Sequence, residues 1–493
     1  MVRIVARPDP RLLSLLVPVV AALVVWRPLL DNYFFADDFL HLFDLVTLPL
    51  PRFLEQIWGG HLYLVRNTVF AVMYHVFGPE PRPWFWSVLL THLLNVLLLD
   101  LLILRVSEDW LLACLGATLW GTSPALEGAL GWYSVYGQVL LTTLVLAVTW
   151  SLASVIATGR AVSARRALVW GAALAAGAAC FGTGLGVAAA FPLVVLLALP
   201  LRRHAVRAAA LLALTAAAVF TVYAVLWNRS PDLDPRSGEL LSSGAILAAT
   251  PAVLTLGAAL LGYTAATLVL GPVGFDAGYP DAATIGAAAA IAVIVVGGCV
   301  AADPARRRRL LWLGLLLFAA CGAIAAGRAT IITSWRLPIA HSAAWTRYHY
   351  LLLALLTALL CVALAALRAR GRAGGTLVAG GAVIWLAARL VVLAVWPHAI
   401  DHHDAERAET ADVLRGIREA VAAAPPGGTA VIPNRAFNSA RIPRAFPGWA
   451  GVFVIYFPEN TIDGRTVRFV GRGDDMALAH NRGGRIAAVL PQP

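Results

Sequence analysis

Two adjacent carboxylates, Asp37 and Asp38, stand in the run DNYFFADDFLHLFD (31–44), directly after an apolar stretch from Leu12 to Leu30 that is long enough for a membrane helix. An ionised carboxylate beside hydrocarbon is expensive to keep, so such a pair marks a functional site by default. Close like charges push their pKa values apart, which lets one carboxylate serve as general base toward a hydroxyl or amine. The same stretch adds His41, Asp44, His61 and Arg66. A second group follows in PALEGALGWYSVYGQ, with Glu127, Trp132, Tyr133 and Gln138, and a third contains Arg328, Arg336, His341, Arg347 and His349. Arginine offers a planar, permanently charged fork for phosphate oxygens and stabilises charge growing on a phosphate leaving group. Structural roles compete with these. Asp38 can simply solvate a loop, and Asp37 can cap a helix beginning near Phe39. Arg347 can anchor an interface together with Trp345 and Tyr348. His92 and Asn95, three residues apart on one helix face, are expected to bond a neighbouring helix. Asp401, His402, His403 and Asp404 have metal-ligand side chains, but neighbours on one segment seldom point together.

Composition sets the frame for these residues. The 493 residues are 60% hydrophobic and 13% charged, with a mean hydropathy of +0.77. Such a chain is a polytopic membrane protein, and recurrent apolar runs of helical length make it all-α rather than a barrel. The net charge of +11 comes largely from short arginine clusters between apolar runs. That is the positive-inside pattern, which reports orientation and gives no reason to expect nucleic acid. The five cysteines lie within apolar runs without CxxC spacing, so neither a disulfide framework nor a thiolate metal site is expected.

Arg3, Arg7 and Arg11 place the N-terminus in the cytoplasm, so the first helix delivers the acidic loop (31–83) to the opposite side. Spans at 84–105, 109–126, 136–157, 167–183, 185–200, 208–227, 284–301, 310–327, 348–367 and 376–396 then bring the arginine clusters inside. With the first helix they make about eleven spanning helices. Counting 245–270 as a further span would put Arg306 to Arg309 outside. Because that segment carries Pro251, Gly257 and Gly262, it is expected to be interfacial or re-entrant. Residues 1–397 form the membrane domain, and 398–493 form a small extracytoplasmic α+β domain. In the latter, 404–424 reads as a helix, while TAVIP, GVFVIYF and TVRFV read as strands. It is too short for a large core of its own and is expected to rest on the membrane part.

Threaded in this way, the three polar groups meet on the outer face, and there the chain resembles the integral-membrane glycosyltransferases of the GT-C fold. The resemblance is carried by the acidic pair of AlaAspAspPhe (36–39), by RNTVFAVMYHVFGPEPRPWFWSVLLTHLLNVLLL with its Phe-Gly turn and His-x-x-Asn, by the Pro, Glu and Trp-x-x-x-x-Gly of SPALEGALGWYSVYGQVLL, and by the Arg-Tyr of TRYHYLLLALL. It is similar in motif over 31–140 and 345–352. It departs from the family at CFGTGLGV (180–187), where relatives often carry a charged pair. The resemblance implies a polyprenyl-phosphate sugar donor and a glycan, lipid or protein acceptor. It implies a catalytic carboxylate at Asp37 or Asp38, with Asp37 favoured. It also implies Arg347 as the donor-phosphate ligand with Arg66 as helper, and Glu127, Trp132, Tyr133 and His61 around the sugar or acceptor. Some branches of the family hold a divalent cation at the acidic loop, which leaves a metal at Asp37/Asp38 open. The expectation is a glycosyltransferase of the cytoplasmic membrane working on its outer face. Its rivals are a transporter or flippase of a lipid-linked sugar, which would need ionisable residues along a mid-span path, and an envelope-assembly scaffold. Asp100 and Arg389 are the charged exceptions within the spans.

Overall fold

The structure is a computed structural model that describes residues 10–229, 243–270, 282–371, 404–435, 448–459, 461–471, 474–480 and 486–489, apart from isolated positions. Among the described residues, seven helices are long and apolar enough to cross a membrane. Pro10–Trp26, Trp110–Gly121, Ala164–Ala178 and Thr183–Ala198 are shorter. The span expected at 376–396 lies almost wholly outside the described residues. This is an α-helical polytopic architecture. Its centre is the helix His349–Ala369, almost every side chain of which is buried. The helices Arg203–Arg229 and Ala282–Ala301 instead leave most of their apolar side chains open, as lipid-facing helices do.

Several polar groups inside the bundle are paired across helices. His92 meets the Tyr350 hydroxyl at 2.8 Å and the Gly121 carbonyl at 2.9 Å, and Asn95 donates to the Val139 carbonyl at 3.0 Å. Trp26 and Trp120 donate to the carbonyls of Gly121 and Tyr350. The pair His92 and Asn95 therefore fastens helices together, because an amide or imidazole without a partner would be costly at this depth.

The turn after Pro81–Ser107 marks one end of the bundle. Asp109 caps the next helix by accepting from the backbone of Leu111 and Leu112, and it also pairs with Arg368 at 2.6 Å. Glu108 pairs with Arg309 at 2.7 Å, while Arg370 donates to the carbonyls of Val300 and Ala301. Two arginine clusters thus share the end at which Arg105 lies. Such exposed pairs contribute little stability, about 0–1 kcal/mol each, but they fix which helix ends lie together.

The segment expected to be interfacial is a continuous 21-residue helix, Thr250–Leu270, with the length and apolarity of a spanning helix. Pro251 falls in its first turn, where no intrahelical N–H is required, so it starts the helix instead of breaking it. Gly257 exposes its carbonyl to the Cys321 thiol, and Thr264 meets His349 Nδ1 at 2.8 Å. Interhelical packing compensates for the weak local propensity.

At the opposite end from the arginine pairs, the first loop folds into the helices Asp37–Thr47, Leu50–Leu54 and Leu64–Phe77 and a hairpin, Ile57–Trp58 with His61–Leu62. The hairpin turn is Gly59-Gly60, both at positive φ, the conformation a two-residue turn of this kind requires. The C-terminal elements lie on this loop. The Tyr33 and Tyr456 hydroxyls bond each other, Tyr74 donates to the Ile455 carbonyl at 2.6 Å, and Arg407 donates to the Asp31 carbonyl at 2.7 Å. Thr429–Pro433 pairs in parallel with Arg465–Gly471, which Thr461–Ile462 and Asp474–His480 flank antiparallel. The run GVFVIYF is not a strand. It lies in the helix Trp449–Tyr456, whose Val452, Phe453 and Ile455 are buried, so tertiary burial overrides β propensity.

Candidate functional site

The acidic pair opens the helix Asp37–Thr47, and the residue before it, Ala36, has φ 49° and ψ −121°. An alanine in that region costs on the order of 1–3 kcal/mol and persists only where its surroundings fix it. In the helix that follows, consecutive side chains diverge by about 100°, so the two carboxylates face different surroundings. Asp37 sits half-buried in the first helical turn, with no side-chain cap at the helix start. Asp38 is fully buried. One of its oxygens accepts from the Ser134 backbone N–H at 2.6 Å and from the Ser134 hydroxyl at 2.5 Å; the other accepts from the Phe35 N–H at 3.2 Å. Burial pushes the Asp38 carboxyl up to about 7, against the lowering effect of these bonds and with a smaller push from Asp37.

Arg66 is also fully buried and grips the same residue from the other side, donating to the Ser134 carbonyl at 3.0 Å. Its remaining bonds go to Asn67 Oδ1, and its guanidinium lies 3.7 Å from the Tyr63 ring centroid. Burial brings Arg66 down to about 10. Asp38, Ser134, Arg66 and Asn67 together form a buried clamp between the first and second loops. Ser134 was not distinguishable in the sequence, since a serine in a GWYSVYG run carries no signal of a partner about a hundred residues away.

The second and third loops meet at Gly128. A side chain there would approach the Arg347 backbone nitrogen to 2.7 Å, so only glycine permits the contact. Arg347 lies over three aromatic rings, with its guanidinium carbon 4.4 Å from the Trp345 centroid, 5.3 Å from Trp132 and 5.2 Å from Tyr348. Among the described residues no carboxylate pairs with it. Glu127 lies at the start of the short helix Glu127–Leu130, with Oε1 2.9 Å from the position a side chain on Gly131 would take. Phe35 packs on Trp132 at 5.4 Å between centroids. Glu127, Trp132 and Arg347 thus belong to one neighbourhood where the second and third loops meet, and Phe35, two residues before Asp37, reaches it from the first loop.

The other two expected residues lie elsewhere. Tyr133 is fully buried in the aromatic core, against Trp84 and Phe70, with its hydroxyl 3.3 Å from Ser87. His61 stacks on Phe181 at 4.0 Å, accepts from the Gly182 N–H at 3.1 Å and contacts the Arg328 guanidinium. The residues CFGTG therefore receive His61, and a side chain at Gly182 would reach its Nδ1 at 2.5 Å. Burial, with Arg328, Arg66 and Arg347 adding to it, holds His61 well below the usual imidazole range.

Among the described residues no group of three or more His, Cys, Asp or Glu side chains converges as a metal cage would. Both oxygens of Asp38 accept hydrogen bonds within its clamp, and no step is routed through a divalent cation. Asp401, His402 and His403 lie outside the described residues. The chain matches no protein-family model and no curated protein.

Two predictions arise here. Gly128→Val is expected to destabilise the protein by about 1–3 kcal/mol through overpacking and to displace Arg347, read as a lower unfolding midpoint in detergent together with reduced turnover. The second concerns pH. Because folding raises Asp38 from 3.8 to about 7, the folded state holds its proton more tightly. The stability this contributes is complete below pH 3.8 and is lost as pH rises through about 7, to a total on the order of 4 kcal/mol. Asp44, raised to about 6 by burial, adds the same sign; His41 and His61, lowered by burial, have the opposite sign. The difference between wild type and Asp38→Asn isolates the term. Relative to wild type, the variant should gain stability steadily between pH 4 and pH 7, and a pH-independent difference would refute it.

Proposed function

We propose that this protein is a membrane glycosyltransferase of the GT-C type, moving a sugar from a polyprenyl-phosphate donor to an exported glycan, lipid or protein acceptor on the outer face of the cytoplasmic membrane. What supports the reading is the meeting of three loops, where Phe35, two residues before the half-buried Asp37, packs on Trp132, and Trp132 lies against Arg347, an arginine with no carboxylate partner among the described residues. A base, a hydroxyl-binding surface and a cation for a leaving phosphate are what glycosyl transfer from a lipid phosphate needs.

In this mechanism the acceptor hydroxyl gives its proton to Asp37 as its oxygen attacks the anomeric carbon from the side opposite the phosphate. The bond between that carbon and the phosphate oxygen breaks, its electron pair stays on the polyprenyl phosphate, and the configuration inverts. Arg347 stabilises the resulting charge. Asp38 stays in its clamp and holds the helix that presents Asp37. Arg66 serves that clamp, with its fork committed to Asn67 and Ser134. Tyr133 supports the turn from the core.

The test is turnover by purified protein in nanodiscs with a panel of hexosyl and pentosyl polyprenyl phosphates and a soluble acceptor, following release of polyprenyl phosphate. Release with any member supports a transferase and identifies its donor. Binding without release across acceptors, with movement of the lipid between leaflets, would replace this reading with a transporter.

A further inference from the structure

Asn32 is 2% exposed, and neither its amide oxygen nor its amide nitrogen has a hydrogen-bond partner among the described residues. A buried amide left in this way is destabilising by roughly 1–3 kcal/mol, and native proteins seldom keep one without a use. It does not stand alone, since the indole N–H of Trp132 is also buried without a partner among the described residues. Both flank Gly131. The Asn32 amide nitrogen lies 3.4 Å, and Glu127 Oε1 2.9 Å, from where a side chain on Gly131 would begin, and Trp132 is the next residue. Trp132 in turn lies beneath the Arg347 guanidinium. The absence of a side chain at Gly131 lets these groups approach one another.

We infer that Asn32, the Trp132 indole and Glu127 form a subsite that binds the hydroxyl groups of the transferred sugar, with Asn32 as a specificity-determining residue. The inference rests on the glycosyltransferase reading and names a residue of its sugar site. The chemistry of the groups selects the ligand. Asn32 supplies two donors and an acceptor, Trp132 a donor and Glu127 acceptors. A phosphodiester, as in the donor, has no proton for the acceptors, an ammonium nothing for the donors, and a prenyl chain nothing for either. Adjacent hydroxyls both donate and accept, so they satisfy the whole set. The neighbouring Arg347 would place the phosphate that bears the sugar beside them.

The experiment compares equilibrium binding of sugar-free polyprenyl phosphate and of hexosyl and pentosyl polyprenyl phosphates to wild type, Asn32→Leu and Trp132→Phe in nanodiscs. Asn32→Leu keeps the volume and removes the amide. It is expected to weaken the preferred sugar-bearing lipid about 10- to 50-fold, leaving the sugar-free lipid unchanged, as loss of one to two hydrogen bonds to a buried site predicts. Its unfolding midpoint should rise, because the buried polar group is gone, whereas a structural amide would give a fall. Trp132→Phe should lower the same affinity severalfold and serves alone if the leucine variant does not fold. Equal weakening of both lipids, or no change in either, overturns the subsite while the donor reading stands. Failure of wild type to bind any of these lipids overturns both.

Discussion

Asp37→Asn is expected to cut release of polyprenyl phosphate by about 10²–10⁴-fold, the contribution of a well-placed general base, while donor affinity stays within about threefold. The amide is nearly isosteric but cannot accept the acceptor's proton. Because Asp37 is only half-buried in the first turn of its helix and asparagine keeps its size, the loss of rate should exceed what any change in unfolding midpoint explains. Asp38→Asn should behave differently. Its amide nitrogen would face either the Ser134 or the Phe35 N–H, donor against donor, so that variant loses stability as well as rate. A single turnover assay run beside a melting curve separates the two carboxylates. Equal activity of Asp37→Asn and wild type, in folded protein, would remove the proposed base.

Arg347→Ala should lower turnover by about 10²–10³-fold, the effect of removing one preorganised group that stabilises charge in the transition state. Binding of the donor should weaken too, since the same cation meets the ground-state phosphate. Arg347→Lys is expected to recover only part of the loss. A lysine keeps the charge but not the planar fork, nor the stacking of a guanidinium over Trp345, Trp132 and Tyr348. An interfacial anchor would show the reverse, with lysine nearly equivalent and the alanine variant impaired in membrane insertion and not in rate. The salt dependence of donor binding offers a second reading, because a site dominated by Arg347 should weaken as ionic strength rises.

The two variants probe different loops, and the C-terminal elements connect to this part of the molecule through the first of them. Phe437 packs on Phe39, two residues from Asp37, at 5.2 Å between ring centroids, and Tyr456 reaches Tyr33. The helix carrying the acidic pair is thereby held between the membrane bundle and the C-terminal region, which accounts for the strain tolerated at Ala36.

Hydropathy and arginine spacing alone determined that the chain is an α-helical polytopic protein, because each apolar run needs only its own length and composition to be recognised. They also determined that Asp37, Glu127 and Arg347 emerge at one end of the bundle. The pairing of Glu108 with Arg309 and of Asp109 with Arg368 places arginine clusters together at the other end. Only the tertiary structure decided what each polar residue does there. Adjacent in sequence and identical in type, Asp37 and Asp38 differ because Ser134 reaches one of them. Arg66 and Arg347 are both arginines near aromatics, yet one is spent on Asn67 and Ser134 while the other has no carboxylate partner among the described residues. The helices Thr250–Leu270 and Trp449–Tyr456 were obscured by glycines, a proline and β-branched residues whose local preferences packing outweighs. Asn32 gave no signal at all in the sequence. Whether a buried polar group is satisfied depends on neighbours brought from distant parts of the chain, and no local pattern carries that information.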